Sequence, residues 1–172
     1  MKHYFDTFST PFGDFSVALD EDGAIVATAF GGEAELRDRF EPDQLVRDPQ
    51  RTSAARHEIL EFLSGKRRDF TLKLAPAGTH FQQSVWSALR QIPFGETRSY
   101  RQLATELRKP GAARAVGRAN ATNPICLLVP CHRVIGADGS LTGFAFGETL
   151  KRRLLEHEAA QATLHNLQGH LS

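Results

Sequence analysis

The breakers in Leu74-Ala-Pro-Ala-Gly-Thr79 divide this chain into two stretches with different hydrophobic periods. Pro76 fixes φ and removes a backbone donor, and Gly78 adds freedom, so neither a strand nor a helix is expected to run through them. Ahead of this break, apolar residues recur mainly at every second position. Residues 4–10 read as a strand, Phe15, Val17 and Leu19 as a second, and residues 24–30 as a third, returned by the turn Asp20-Glu-Asp-Gly23. Residues 33–40 suit one or two helical turns. Residues 52–64 suit a longer helix with Thr52 or Ser53 as cap and Gly65 as stop. Phe70, Leu72 and Leu74 alternate as one more strand. The expected fold is therefore a β-rich α/β domain over residues 1–77.

Beyond the break the period becomes helical. Phe81, Val85, Ala88 and Leu89 share one face, with Thr79 as candidate cap. Ser99 can cap a second helix over residues 100–107. After Lys109-Pro-Gly111 comes a third, Ala112-Ala-Arg-Ala-Val-Gly-Arg-Ala-Asn-Ala121. Two short helices joined by a tight glycine-containing turn form a helix-turn-helix pattern. The third helix is almost all Ala and Gly, with Arg114, Arg118 and Asn120 as its polar reach. That suits close approach to a DNA backbone and groove; the alternative is an interior helix packed tightly on its neighbours, and the local Arg content favours DNA. A mostly α domain over residues 78–160 is expected, with residues 161–172 as a weakly periodic tail.

The chemistry gathers in Asn123-Pro-Ile-Cys-Leu-Leu-Val-Pro-Cys-His-Arg-Val134. The apolar run at residues 125–129 reads as a buried strand, and Pro130 stops it. Cys131 then stands beside His132 and Arg133. A thiol is a nucleophile only as thiolate, and a neighbouring imidazole or cation favours that form. On a strand, adjacent side chains point to opposite faces, so Cys131 and His132 cooperate only if the chain turns there or a water bridges them. A last helix is expected over residues 148–160. At about 100° per residue, with Leu150 at 0°, Leu154 falls near 40°, Leu155 near 140° and Glu158 near 80°, inside the apolar stripe. A buried carboxylate needs a partner, and His132 is the candidate; the alternative is that the helix frays and Glu158 is exposed.

Charge is uneven. Residues 1–77 hold ten Lys and Arg against fourteen Asp and Glu, and residues 78–172 hold eleven against six, giving −4 and +5 within the total of +1. A basic second half suits an anionic partner such as nucleic acid, although chance surface composition gives the same numbers. The N-terminus lacks the apolar core of a signal peptide, and no apolar run approaches the roughly 20 residues of a membrane helix. An intracellular, cytoplasmic protein with no membrane partner is expected, associated with the nucleoid in a bacterium. Cys126 and Cys131 are too close in sequence for an unstrained bridge, so both read as free thiols, Cys126 as a core residue.

These residues carry a family resemblance. Pro130-Cys-His-Arg-Val134 follows Asn123-Pro124 and precedes Thr142-Gly-Phe and Leu154-Leu-Glu-His-Glu158. With Phe94-Gly-Glu-Thr97, Ser99-Tyr-Arg-Gln-Leu-Ala104 and Ala112-Ala-Arg-Ala-Val-Gly117, the string resembles the O6-alkylguanine-DNA alkyltransferases over residues 81–158. The resemblance implies a ribonuclease-H-like first domain and a winged helix-turn-helix in the second. It implies irreversible, single-turnover DNA repair: the alkyl group of O6-alkylguanine, and of O4-alkylthymine, moves to Cys131 after base flipping. His132 and Glu158 would form a water-linked relay, Asn123 would brace the turn, and Tyr100 would help neutralise the leaving guanine. Arg114 would fill the vacated base stack, and Ala112, Ala113, Arg118 and Ser99 would line the DNA. Val134, Phe144, Ala145 and Phe146 would wall the pocket. Double-stranded DNA containing O6-alkylguanine is the implied partner of a monomer, with no cofactor. Some family members bind a structural zinc through N-terminal cysteines; no Cys precedes Cys126, so no metal is expected. Many carry a small residue where Phe146 stands, so a pocket narrowed against benzyl adducts is expected. Two other readings remain: a lesion-binding module without transfer, and a cysteine hydrolase using Cys131, His132 and Glu158.

Overall fold

The computed structural model describes the backbone of residues 1–171 and the side chains of residues 1–164. The chain forms two compact units, one of residues 1–77 with 124–128, the other of residues 78–123 and 129 onward.

The first unit is built on a four-stranded mixed sheet of order β3-β2-β1-β4. Its strands are β1 (His3–Thr10), β2 (Gly13–Leu19), β3 (Ile25–Phe30) and β4 (Leu45–Arg47). Strands β1, β2 and β3 pair antiparallel, and β4 pairs parallel to β1. Strand β2 is central and buried from Phe15 through Leu19, small residues included, which is why its alternation is blunted. Helices α1 (Glu33–Arg37) and α2 (Ser53–Leu63) complete the unit. Thr52 precedes α2 but does not cap it; its hydroxyl donates to the Asp48 carbonyl at 3.0 Å.

Two expectations need correction. Phe70, Leu72 and Leu74 do not form a strand: only Leu74 bridges Ile25. The Thr71 N–H donates instead to the Glu58 carboxylate at 2.8 Å, so the segment follows α2 rather than a ladder. The residues 125–129 are likewise not one strand. Ile125 bridges Thr28, and the chain then reverses at Leu127, whose φ is 74°. The Leu128 N–H reaches the Cys126 carbonyl at 3.0 Å, the i to i+2 closure of a γ-turn. Thr28 fixes this segment by its N–H to the Pro124 carbonyl and its hydroxyl to the Cys126 carbonyl, and Arg39 donates to the Pro124 carbonyl at 2.9 Å.

The second unit is mostly helical. Its elements are α3 (His80–Leu89), β5 (Arg98–Ser99), α4 (Tyr100–Glu106), α5 (Ala113–Ala121), β6 (Val134–Ile135) and α6 (Glu148–Leu171). Thr79 and Ser99 each close a reciprocal capping box, with Gln82 and Gln102 respectively. These satisfy orphan donors at both helix starts. Helix α6 runs eleven residues past its expected end at Ala160, so residues 161–171 are helix rather than a separate tail; Ser172 lies outside the described residues. Among the described residues, no helix is long and apolar enough to cross a membrane.

Candidate active site

Cys131, His132 and Arg133 form a single 3₁₀ turn. Pro130 enters it at φ −80°, the Cys131 N–H closes on the Val129 carbonyl at 2.7 Å, and the Arg133 N–H on that of Pro130 at 3.0 Å. Successive side chains on such a turn are about 120° apart, not the 180° of a strand, so the thiol and the imidazole can serve one region. Two amides hold the turn from outside. Asn123 Nδ2 donates to the Val129 carbonyl at 2.9 Å, and Asn120 Nδ2 to that of Cys131 at 3.3 Å.

The turn is then locked to α4. Strand β6 begins at the next residue and pairs parallel with β5, Val134 opposite Arg98 and Ile135 opposite Ser99. Ser99 also caps α4, whose first residue is Tyr100. A two-residue ladder thereby couples the thiol to the phenol. The Tyr100 hydroxyl donates to the Thr142 carbonyl at 3.1 Å. Gly143 has φ 89°, and a Cβ there would stand 2.7 Å from that hydroxyl, so both backbone and space require glycine.

Helix α6 supplies the carboxylate. Glu158 is 1% exposed and accepts from His132 Nε2 at 2.6 Å and from Arg133 at 2.7 and 3.1 Å. Arg133 also donates to the Ile92 carbonyl at 2.8 Å. Burial pushes the Glu158 carboxyl up, but the charge and hydrogen bond of His132, then Arg133, outweigh it and hold the group down at about 2. An ionised carboxylate only accepts, so Nε2 carries the hydrogen, and in the neutral imidazole Nδ1 is the acceptor. That Nδ1 is buried and has no hydrogen-bond partner. Burial pushes the Cys131 thiol up, opposed by the Asn123 side chain and the Lys151 charge. Burial and the neighbouring Cys131 charge push the Tyr100 phenol up, opposed by the Asn120 side chain.

Cys131, His132, Glu158, Asn123 and Val134 are thus buried together around the turn, with Tyr100 half-buried beside it. Phe144 is buried, Phe146 is half-buried with its ring 5.7 Å from that of Phe144, and Ala145 is exposed. Ser99, Ala112 and Ala113 are half-buried. Arg114 and Arg118, four apart on α5, are exposed and not part of the buried cluster, while Val116, Ala119 and Asn120 bury the other side of that helix. Helix α5 is therefore packed on one face and open on the other.

Lys151 escapes the sequence reading, and so do the partners of two residues it names: Arg133, read as a cation beside the thiol, pairs with Glu158, and Asn120, read as polar reach towards DNA, is buried against the Cys131 carbonyl. Lys151 is fully buried, while Leu150 and Leu155 are only half-buried. The phase that singles out Glu158 also places Lys151 near 100°, inside the same stripe, so the signal was present. Asn120 carries no such signal beyond its polarity.

The fold and the site define a class: a two-unit protein that presents a thiol on a 3₁₀ turn, next to a buried His–Glu–Arg cluster and a pair of short helices. The models for the ribonuclease-like domain and the DNA binding domain of 6-O-methylguanine DNA methyltransferase match residues 3–76 and 80–160. The methylated-DNA–protein-cysteine methyltransferase of Methanosarcina acetivorans is 42% identical over 157 residues, covering 91% of this chain and 99% of that protein. That of Mycobacterium tuberculosis is 43% identical over 164 residues, covering 94% and 95%. The crystal structure of Mycobacterium tuberculosis OGT in complex with DNA superposes with a TM-score of 0.82 at 39% identity, covering 92% of this chain and 94% of that one. This chain belongs to the 6-O-methylguanine DNA methyltransferase family, with its ribonuclease-like domain first and its DNA-binding domain second.

Proposed function

We propose that this protein repairs O6-alkylguanine, and O4-alkylthymine, in double-stranded DNA by moving the alkyl group once and irreversibly to Cys131. The observation that carries this reading is the buried His132–Glu158 pair at 2.6 Å, which leaves His132 Nδ1 as a proton acceptor on the turn that bears the thiol. The thiol proton passes to Nδ1, directly or through a water. The thiolate then attacks the alkyl carbon; the S–C bond forms, the C–O6 bond breaks, and the electron pair leaves with the base. Tyr100 donates to the departing ring, whose negative charge would otherwise slow its exit. The product thioether has no leaving path, so each molecule acts once.

Helices α4 and α5 act as a helix-turn-helix, with β5, β6 and the loop after β6 as its wing. The exposed face of α5 meets the duplex. Arg114 fills the stack when the target base is flipped, because a base inside a duplex is out of reach. Ala112, Ala113, Arg118 and Ser99 meet the backbone, and Val134, Phe144, Ala145 and Phe146 wall the pocket. Asn123 braces the turn, the first unit supports the second, and the protein acts as a monomer without a cofactor. Family membership favours transfer over hydrolysis by the same three side chains.

Loss of the methyl group from an O6-methylguanine duplex tests this reading. The wild-type protein removes it stoichiometrically, whereas Cys131→Ala removes none yet still retards the alkylated duplex on a gel. Removal by Cys131→Ala would refute the assignment of the acceptor.

A further inference from the structure

We propose that Lys151 is the buried counter-charge of Cys131, a positioning residue that sets how much of the thiol is ionised before DNA arrives. The proposal rests on Cys131 being the alkyl acceptor. Lys151 is among the largest fully buried side chains of the protein, and its Nζ has no hydrogen-bond partner. Lysines normally run their ammonium groups out to water, because an unpaired buried charge is costly. This one points inward from α6, on the face that also buries Leu154 and Glu158 at i+3 and i+7.

The two buried charges of that face differ in their surroundings. Glu158 is matched by Arg133 and His132. Lys151 is faced by two groups of opposite sign: Glu148, exposed one turn earlier on the same helix, and Cys131 on the active-site turn. Cys131 is in turn faced by Tyr100 from α4 and by the Asn123 amide. Inside the unit, the charge that completes Lys151 is thus a thiolate. The two groups favour one another's charged forms, each against burial. A cation held at this position costs stability and serves the nucleophile.

The test uses the full chain without DNA. Iodoacetamide modification of Cys131 is followed from pH 7 to 9.5 and mapped by peptide mass, so that Cys126 does not contribute. Lys151→Met should slow modification at pH 7 by about tenfold or more and raise the apparent thiol pKa by about one unit or more. Lys151→Arg should stay within about threefold of wild type, since it keeps the charge. The Tm of Lys151→Met should equal or exceed that of wild type, because a methionine replaces an unpaired buried charge. Methyl transfer from an O6-methylguanine duplex should fall in Lys151→Met in step with modification. An unchanged pH profile in Lys151→Met, a lowered Tm or failure to fold, or Lys151→Arg as slow as Lys151→Met would each overturn the proposal. A wild-type protein that reacts with iodoacetamide but takes no methyl group would defeat the proposed function instead.

Discussion

Glu158 accepts hydrogen bonds from His132 and Arg133 inside the protein, and this has a consequence in acid. Its carboxyl is lowered from 4.5 to about 2 in the folded state. A depressed value contributes stability above about pH 4.5 that is lost as pH falls towards 2, where protonation breaks the pairing. The shift corresponds to roughly 3 kcal/mol. Urea titrations between pH 4.5 and 2 should show wild type losing about that much more stability than Glu158→Gln; parallel curves would contradict the pairing. At the pocket, Phe146→Gly should raise the benzyl-to-methyl transfer ratio by about tenfold or more, as removal of a steric bar allows. An unchanged ratio, read in single-turnover kinetics with both adducts, would show that the ring does not limit the pocket. Glu158 was legible because a carboxylate inside an apolar stripe demands a partner. Lys151 shares that phase but is easily passed over, since a lysine stem can cover apolar surface with its charge in water. The role of Arg133 depends on a carboxylate that arrives from a helix 25 residues away, which no local pattern reveals.

At the scale of elements, α4 and α5 were legible because caps and breakers mark them: Ser99 with Gln102 opens α4, and the break at Lys109-Pro-Gly111 precedes α5. Segments decided by tertiary partners were not. Phe70, Leu72 and Leu74 have strand alternation, yet Glu58 takes the Thr71 amide. Strand β4 is three residues long and exists through its pairing with β1. Leu127 adopts a left-handed φ that a β-prone apolar run gives no cause to expect. Such a conformation costs on the order of 1–3 kcal/mol and persists where the surroundings enforce it, here ahead of the turn that bears Cys131. The open face of α5 carries its own prediction. If Arg114 serves to hold a flipped base out of the stack, Arg114→Ala should slow transfer from duplex DNA by about tenfold or more while leaving reaction with the free base O6-benzylguanine within about twofold. Equal slowing on both substrates, measured as second-order rate constants, would place the effect at the thiol instead.

For the whole molecule, the chain path matters more than the domain order. The first unit includes residues 124–128, which Thr28 and Arg39 hold by backbone carbonyls, and Cys131 follows three residues later. The charge difference between the two halves was visible in composition, whereas the return of the chain into the first unit was not, because a linker pattern marks only where one stretch ends. The proposed function rests on one covalent event. Its most direct test is mass spectrometry of the intact protein and of its peptides after incubation with excess O6-methylguanine duplex. The predicted result is one added methyl group, roughly 14 Da, on the Cys131 peptide alone, with no further turnover. No addition, addition at Cys126, or repeated turnover by a protein whose mass is unchanged would contradict it.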